Sequence, residues 1–303
     1  MKTLAFIHRN DTRFSVGDFS PVLSVFSHYE LGNTISPFLL LDHLGPGNLK
    51  AGSRQQGVSE HPHRGFETVT IMFEGELEHR DSSGGGGIIS AGDVQWMTAA
   101  SGVIHKESFS PEFAQTGGRF EMLQLWVNLP AKDKMNPPRY QSLRKDSISK
   151  VTLAEDAGYV RVIAGEYQGQ SGPAKVHSPV QVYDVSLKQG HTIKLPAQSG
   201  DTTLLYMRTG RAQLQVDDSS LDDTEWDDHA LAVMSNLDQD VEVIALRDSA
   251  FLFLSGTPFH EPIHGHGPFV MNTYEEIVQA FEDIKTDNFI RYPTQDLEFS
   301  SLK

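Results

Sequence analysis

Apolar and polar positions alternate with period two along much of this chain, the pattern of strands that bury one face. Residues 68–73, 123–127, 180–185 and 241–246 are short runs rich in β-branched and aromatic side chains. Turns such as Glu74-Gly75-Glu76, Ala91-Gly92-Asp93 and Thr209-Gly210-Arg211 separate strands. Many short strands at regular spacing predict an all-β protein of sandwich or barrel type. Gly84-Gly85-Gly86-Gly87 reads as a flexible turn, since neither a helix pattern nor a Lys-Ser/Thr pair follows to make a phosphate cradle.

A break falls after Leu129, where Pro130 and Pro137-Pro138 take the chain out of the first sheet. A second set of strands begins at 159–163 and runs to 251–254. The two sets have similar length and style, so the expected architecture is two antiparallel β-barrels, residues 1–135 and 136–303. A helix is expected near 273–285, within the C-terminal half. Thr273 stands three residues before Glu276, the spacing of a capping box. Ile277, Ala280, Phe281 and Ile284 form an i, i+3, i+4, i+7 stripe that would cover a barrel. Residues 217–228 carry seven acidic side chains in twelve. They read as a solvated hairpin loop, because the glycine and terminal glutamate pattern of an EF-hand is missing.

The 303 residues hold 25 Lys and Arg against 40 Asp and Glu, a net charge of −15. Phosphate backbones call for the opposite balance, so direct nucleic-acid binding is not expected. No run approaches the roughly 20 apolar residues of a membrane span. Only four consecutive apolar residues precede His8, too few for a secretory signal. The expectation is a cytoplasmic protein with no membrane association. With no cysteine, disulfides, thiolate nucleophiles, cysteine-ligated zinc and iron–sulfur clusters are excluded.

Among the 13 histidines, His61, His63 and His105 stand out because of their neighbours. In His61-Pro62-His63 the two imidazoles share one face of a strand, with Cα atoms about 6.6 Å apart. Both rings can then meet one ion at about 2.0–2.1 Å. Pro62 faces the other way and suits a strand edge. His105-Lys106-Glu107 repeats the arrangement, with Lys106 pointing out. Two such strands can close three nitrogens and one carboxylate around one metal. In an octahedral site two positions would stay open for substrate or oxygen. The ligand set suits Fe(II), Mn(II), Co(II), Ni(II), Cu(II) or Zn(II) rather than Ca or Mg. Either pair alone is an ordinary surface feature; the two together, with Gly65 and Gly102 beside them, favour a metal. Glu67 is the rival carboxylate. It shares the parity of His61 and His63 but lies about 13 Å from His63 on a straight strand. Glu107 needs no bend and is the expected ligand.

Gly57, His61-Pro62-His63-Arg64-Gly65-Phe66-Glu67-Thr68-Val69-Thr70 and Gly75 form one motif. Gly92-Asp93-Val94-Gln95-Trp96-Met97-Thr98-Ala99 with Gly102-Val103-Ile104-His105-Lys106-Glu107 forms a second. Together they resemble the paired cupin motifs in their pirin form, and the likeness extends to 36–43, 123–130 and 267–273. The resemblance implies a bicupin of two β-barrels with one iron in the N-terminal barrel. It assigns the ligands to His61, His63, His105 and Glu107. In ordinary cupins the first-motif glutamate, here Glu67, ligates instead, and the second motif carries a proline and an asparagine where Ala100 and Phe109 stand. Both departures side with pirin.

The second half departs further. Two positions after His177, His191 and His229 come Pro179, Ile193 and Leu231, which cannot ligate through their side chains. A degenerate second barrel is therefore expected. His264-Gly265-His266 has ligand spacing but is expected in a loop, with no strand and no carboxylate partner. His8 and His43 are read as ordinary histidines.

Two functions follow from the resemblance. One is a metal-dependent dioxygenase that opens the flavonol ring of quercetin-like substrates with O2 and releases carbon monoxide. Fe(II) is then the expected cofactor, with Ni, Mn, Co, Cu and Zn as other divalent choices. Glu107 or a nearby carboxylate would take the 3-hydroxyl proton. The other is a non-enzymatic, iron-dependent redox-sensing regulator that binds a protein partner, either a transcription factor or a metabolic enzyme. No nuclear-type Lys/Arg cluster is present, which favours the enzyme and a small aromatic substrate.

Overall fold

The computed structural model describes residues 1–215 and 224–292. Residues 217–223 of the acidic run lie outside them. The chain divides into two compact units. The first comprises 11–33, 38–145 and the described residues from Phe259 onward; the second comprises 1–10, 34–37 and 146–258.

The alternating runs of the sequence become strands, as their half-buried patterning requires. Strand β1 (Leu4–His8) belongs to the second unit. The first unit builds β2 (Arg13–Val16), β3 (Phe19–Ser27), β4 (Phe38–Leu49), β5 (Gly57–His63), β6 (Phe66–Glu74) and β7 (Glu76–Asp81). It continues through β8 (Gly86–Ser90), β9 (Val94–Thr98), β10 (Val103–Phe109), β11 (Gly118–Asn128) and β12 (Arg139–Leu143). Short helices α1 (His28–Leu31) and α2 (Pro111–Thr116) link strands. The strands pair in the orders β12-β9-β6-β11-β4-β3-β2 and β5-β10-β7-β8, all antiparallel.

The second unit adds β13 (Ser149–Thr152), β14 (Gly158–Ala164), the small hairpin β15 (Glu166–Tyr167) and β16 (Gln170–Ser171), and β17 (Val180–Leu187). Then come β18 (Thr192–Leu195), β19 (Thr202–Thr209), β20 (Arg211–Gln215), β21 (Glu225–Asp227), β22 (Leu231–Met234), β23 (Val241–Ala245) and β24 (Ser249–Gly256). Its sheets run β1-β22-β19-β24-β17-β14-β13 and β18-β23-β20-β21. This repeats the seven-plus-four order of the first unit, and β5 and β10 correspond to β18 and β23. Where the first unit carries histidines, the second carries Ile193, Leu195, Val241 and Val243, all buried in a core with Tyr183, Trp226 and Phe253.

The division differs from a single cut at 135/136. Each seven-stranded sheet needs an edge strand. The first unit takes β12, which pairs with β9 from Arg139↔Thr98 to Leu143↔Val94. The second takes the N-terminal β1, paired with β22. After β24 the chain returns to the first unit as β25 (His264–His266), β26 (Phe269–Met271) and α3 (Tyr274–Lys285). The helix therefore belongs to the first unit, where Ile277 and Ala280 pack with Ile104, Phe269, Met271 and Phe289. His264 and His266 lie on a strand, not in a loop; both are exposed and neither joins a metal-capable group among the described residues. Among the described residues no helix is long and apolar enough to cross a membrane.

Helix α3 starts as its sequence predicts. The Thr273 hydroxyl accepts from the Glu276 amide at 3.2 Å, and the Glu276 carboxylate accepts from the Thr273 amide at 3.0 Å. Thr273→Ala should destabilise the first unit by about 1 kcal/mol, with Thr273→Ser restoring most of it. Urea unfolding midpoints of the three proteins test this; equal midpoints would show that the cap is idle.

Candidate metal centre and its pocket

Strands β5 and β10 are direct neighbours, with His61 opposite His105 and His63 opposite Val103. The two-residue repeat then aims His61, His63 and His105 at one point. Their ring centroids lie 4.1 Å (61–105), 4.8 Å (61–63) and 4.9 Å (63–105) apart, and one ligating atom from each falls within 4.8 Å of the others. Nδ1 of His61 lies 2.8 Å from the Ser59 carbonyl oxygen and Nδ1 of His63 lies 3.3 Å from that of Pro268. These contacts suit Nδ1–H donors and leave each Nε2 lone pair free. Nε2 of His105 is buried with no hydrogen-bond partner among the described residues. Burial holds all three rings below their ordinary pKa, His63 and His105 well below it. The neutral ring is the ligating form. Three unprotonated, convergent imidazole nitrogens fit a borderline divalent transition metal.

Glu107 belongs to an overlapping group with His79 and His105. Its carboxylate accepts a hydrogen bond from the Gln95 side-chain amide and lies 3.5 Å from Nδ1 of His79. Nε2 of His79 meets Asp81 at 3.0 Å, and Tyr140 stacks on the His79 ring at 4.9 Å. Burial opposes ionisation of both partners in this pair, yet the Asp81 and Glu107 contacts raise His79 to about 8, and those of His79 and Ser83 keep Asp81 low. His79 and Asp81 escaped the sequence reading although the signal was there. His79-Arg80-Asp81 is a third pair at i, i+2, with the intervening Arg80 exposed.

Glu67 takes no part in either group. The strand does not run straight from His63 to Glu67, because Arg64-Gly65 ends β5 and starts β6 in the other sheet. On β6, Thr68 and Thr70 pair with Trp126 and Gln124, whereas Glu67 pairs with Val127 on the opposite face. There it accepts from the Thr98 hydroxyl at 2.6 Å.

His61, His63, His105 and Glu107 line a cavity of about 390 Å³ whose other walls are mainly apolar, among them Phe14, Phe19, Leu40, Met122 and Trp126. Trp126 stands edge-on to His63, with centroids 5.3 Å apart. A pocket of this size and lining suits a flat aromatic ligand.

Two antiparallel units of one sheet order, one bearing a histidine–carboxylate cluster, define a bicupin. The Pirin family model matches residues 20–127 and the Pirin C-terminal cupin domain model matches 182–290. The chain belongs to the pirin family. It is 50% identical to a Pseudomonas aeruginosa protein named "Putative quercetin 2,3-dioxygenase" over 291 residues, 96% of this chain and 99% of that one. It is 38% identical to human pirin over 84% of this chain and 83% of that one. A crystal structure titled quercetin 2,3-dioxygenase from Acinetobacter baumannii superposes with a TM-score of 0.91 at 46% identity, covering 95% of this chain and 98% of that one.

Burial raises the Glu67 carboxyl to about 7 from an ordinary 4.5. The folded state thus holds this proton more tightly than the unfolded state. Its contribution to stability is full below about 4.5 and declines as pH rises towards 7. Glu67→Gln should flatten that decline. Urea unfolding across this range tests it, and an unchanged slope would contradict the assignment.

Proposed function

We propose that this chain is a metal-dependent dioxygenase that opens quercetin-like flavonols with O2, using one transition metal held by His61, His63, His105 and Glu107. Fe(II) is the metal of the proposal, with Ni, Mn, Co, Cu and Zn as alternatives that fit the same donors. The observation that carries it is the convergence of three neutral imidazole nitrogens beside an apolar cavity. The relatives named for this activity support the substrate class.

When bound, the metal would supply a Lewis-acid centre for a flavonol and O2, one that is also redox-active when the ion is Fe(II). The chain's residues supply the rest. The apolar walls exclude water and bracket the flat rings. Glu107 accepts the acidic 3-hydroxyl proton, and Gln95 and His79 hold its carboxylate in place.

Anaerobically purified protein should contain one metal per chain, and His63→Ala should lose it. Glu107→Gln should lower metal retention whereas Glu67→Gln should keep it, at equal folded fraction by circular dichroism. Loss from Glu67→Gln alone would point to the ordinary cupin ligand set.

Oxygen uptake with quercetin should vanish with chelator and return with Fe(II) or another first-row divalent ion. Glu107→Gln at saturating metal should lower turnover roughly 100-fold or more, the scale of a lost general base. Metal-loaded protein that consumes no oxygen with any flavonol would refute the enzyme and leave the metal site standing.

A further inference from the structure

One carboxyl in the cavity wall has no role in the centre described above. On β4, residues Leu40, Asp42 and Leu44 face the cavity, and on β11 Met122, Gln124 and Trp126 do the same. Asp42 and Gln124 are directly opposite across the β4–β11 ladder, so their Cβ atoms lie about 5 Å apart. Asp42 is 9% exposed, and its Oδ1 is buried without a hydrogen-bond partner among the described residues. Burial pushes this carboxyl up to about 7. A buried polar atom left unpaired destabilises the fold, and an apolar residue of similar size would avoid the loss. Such an atom in a ligand cavity marks a group waiting for a partner.

Gln124 is already oriented. Its Oε1 accepts from the Thr70 hydroxyl at 2.8 Å, and Thr70 accepts from the Gln95 amide at 3.1 Å. This directs Oε1 to the sheet and leaves Nε2 as a donor. An acceptor and a donor side by side on an otherwise apolar wall match two neighbouring oxygens on one aromatic edge.

We propose that Asp42 and Gln124 form a subsite that reads a catechol edge of the substrate, Asp42 accepting from one hydroxyl and the Gln124 amide donating to the adjacent oxygen. The inference rests on the reading of the cavity as a polyphenol site. In a flavonol the hydroxy-ketone edge is the part suited to the metal centre, and the pendant ring offers the second polar edge.

The test is anaerobic binding to the metal-loaded chain, followed by quenching of tryptophan fluorescence. The ligands are flavonols with two, one or no hydroxyls on the pendant ring. Above about pH 7, where the Asp42 carboxyl is ionised, wild type should prefer the catechol over the unsubstituted ring, and Asp42→Leu should lose roughly 10- to 100-fold of catechol affinity, the worth of a hydrogen bond to a charged group. Binding of the unsubstituted flavonol should not weaken, because its ring then meets an apolar wall. Asp42→Asn, which keeps an acceptor oxygen, should lose less. Asp42→Leu should also melt higher than wild type, because no internal partner is broken. A catechol preference that survives Asp42→Leu, or a lower melting temperature for that variant, would overturn the subsite while leaving the polyphenol reading intact. If no flavonol binds wild type at all, both fall together.

Discussion

The centre depends on the close approach of two backbone segments, at Gly65 and at Val270. A Cβ on Gly65, whose φ is +92°, would lie 2.0 Å from the Val270 carbonyl oxygen, so only glycine lets the strands meet there. Lys134 fastens the approach from inside, donating to Gly65 O at 2.7 Å, Val270 O at 2.9 Å and the Asn128 side-chain oxygen at 2.6 Å. Three N–H groups meet three acceptors, which makes a buried ammonium tolerable. Arg64 does the same next door, bonding Asp283 at 2.7 Å and Ser101 O at 2.7 Å while its guanidinium covers the Phe289 ring. This clamp ends β5 after His63. It also brings the Pro268 carbonyl to Nδ1 of His63, and so sets which nitrogen faces the centre.

The two units share a sheet order and differ in what they put inside it. At the strands equivalent to β5 and β10, the second unit spends its inward positions on Ile193, Leu195, Val241 and Val243. These side chains close a continuous apolar core, which stabilises a fold without leaving room for a polar cluster. The first unit gives up part of that core for histidines, a carboxylate and a cavity. Four of its buried polar side chains are joined in a relay from Glu107 through Gln95 and Thr70 to Gln124. Buried polar groups are tolerated when they are joined in this way.

Sequence periodicity made the strands legible because alternation is a local property of a half-buried sheet. The runs at 68–73, 123–127, 180–185 and 241–246 fall on β6, β11, β17 and β23, the last running one residue beyond its strand. The capped helix was legible for the same reason, since cap and stripe lie within one segment. The domain division was not. Which unit receives β1, β12 or α3 depends on edge pairing and packing between distant segments, and proline-rich linkers carry no information about it. Glu67 shows the same limit, because parity along a strand holds only while the strand continues.

What the sequence by itself determined is the antiparallel β character, the doubled i, i+2 ligand pairs and the lack of any His-x-His or His-x-Glu pair between Tyr159 and Pro258. These are facts about neighbours along the chain. Tertiary structure alone decided that β5 and β10 lie side by side, that His79 and Asp81 stand behind His105 and Glu107, and that Asp42 faces the cavity. Each of these joins residues through sheet register or through contacts as distant as the 205 residues between His63 and Pro268. Register is fixed by the packing of whole sheets, and no local pattern encodes it.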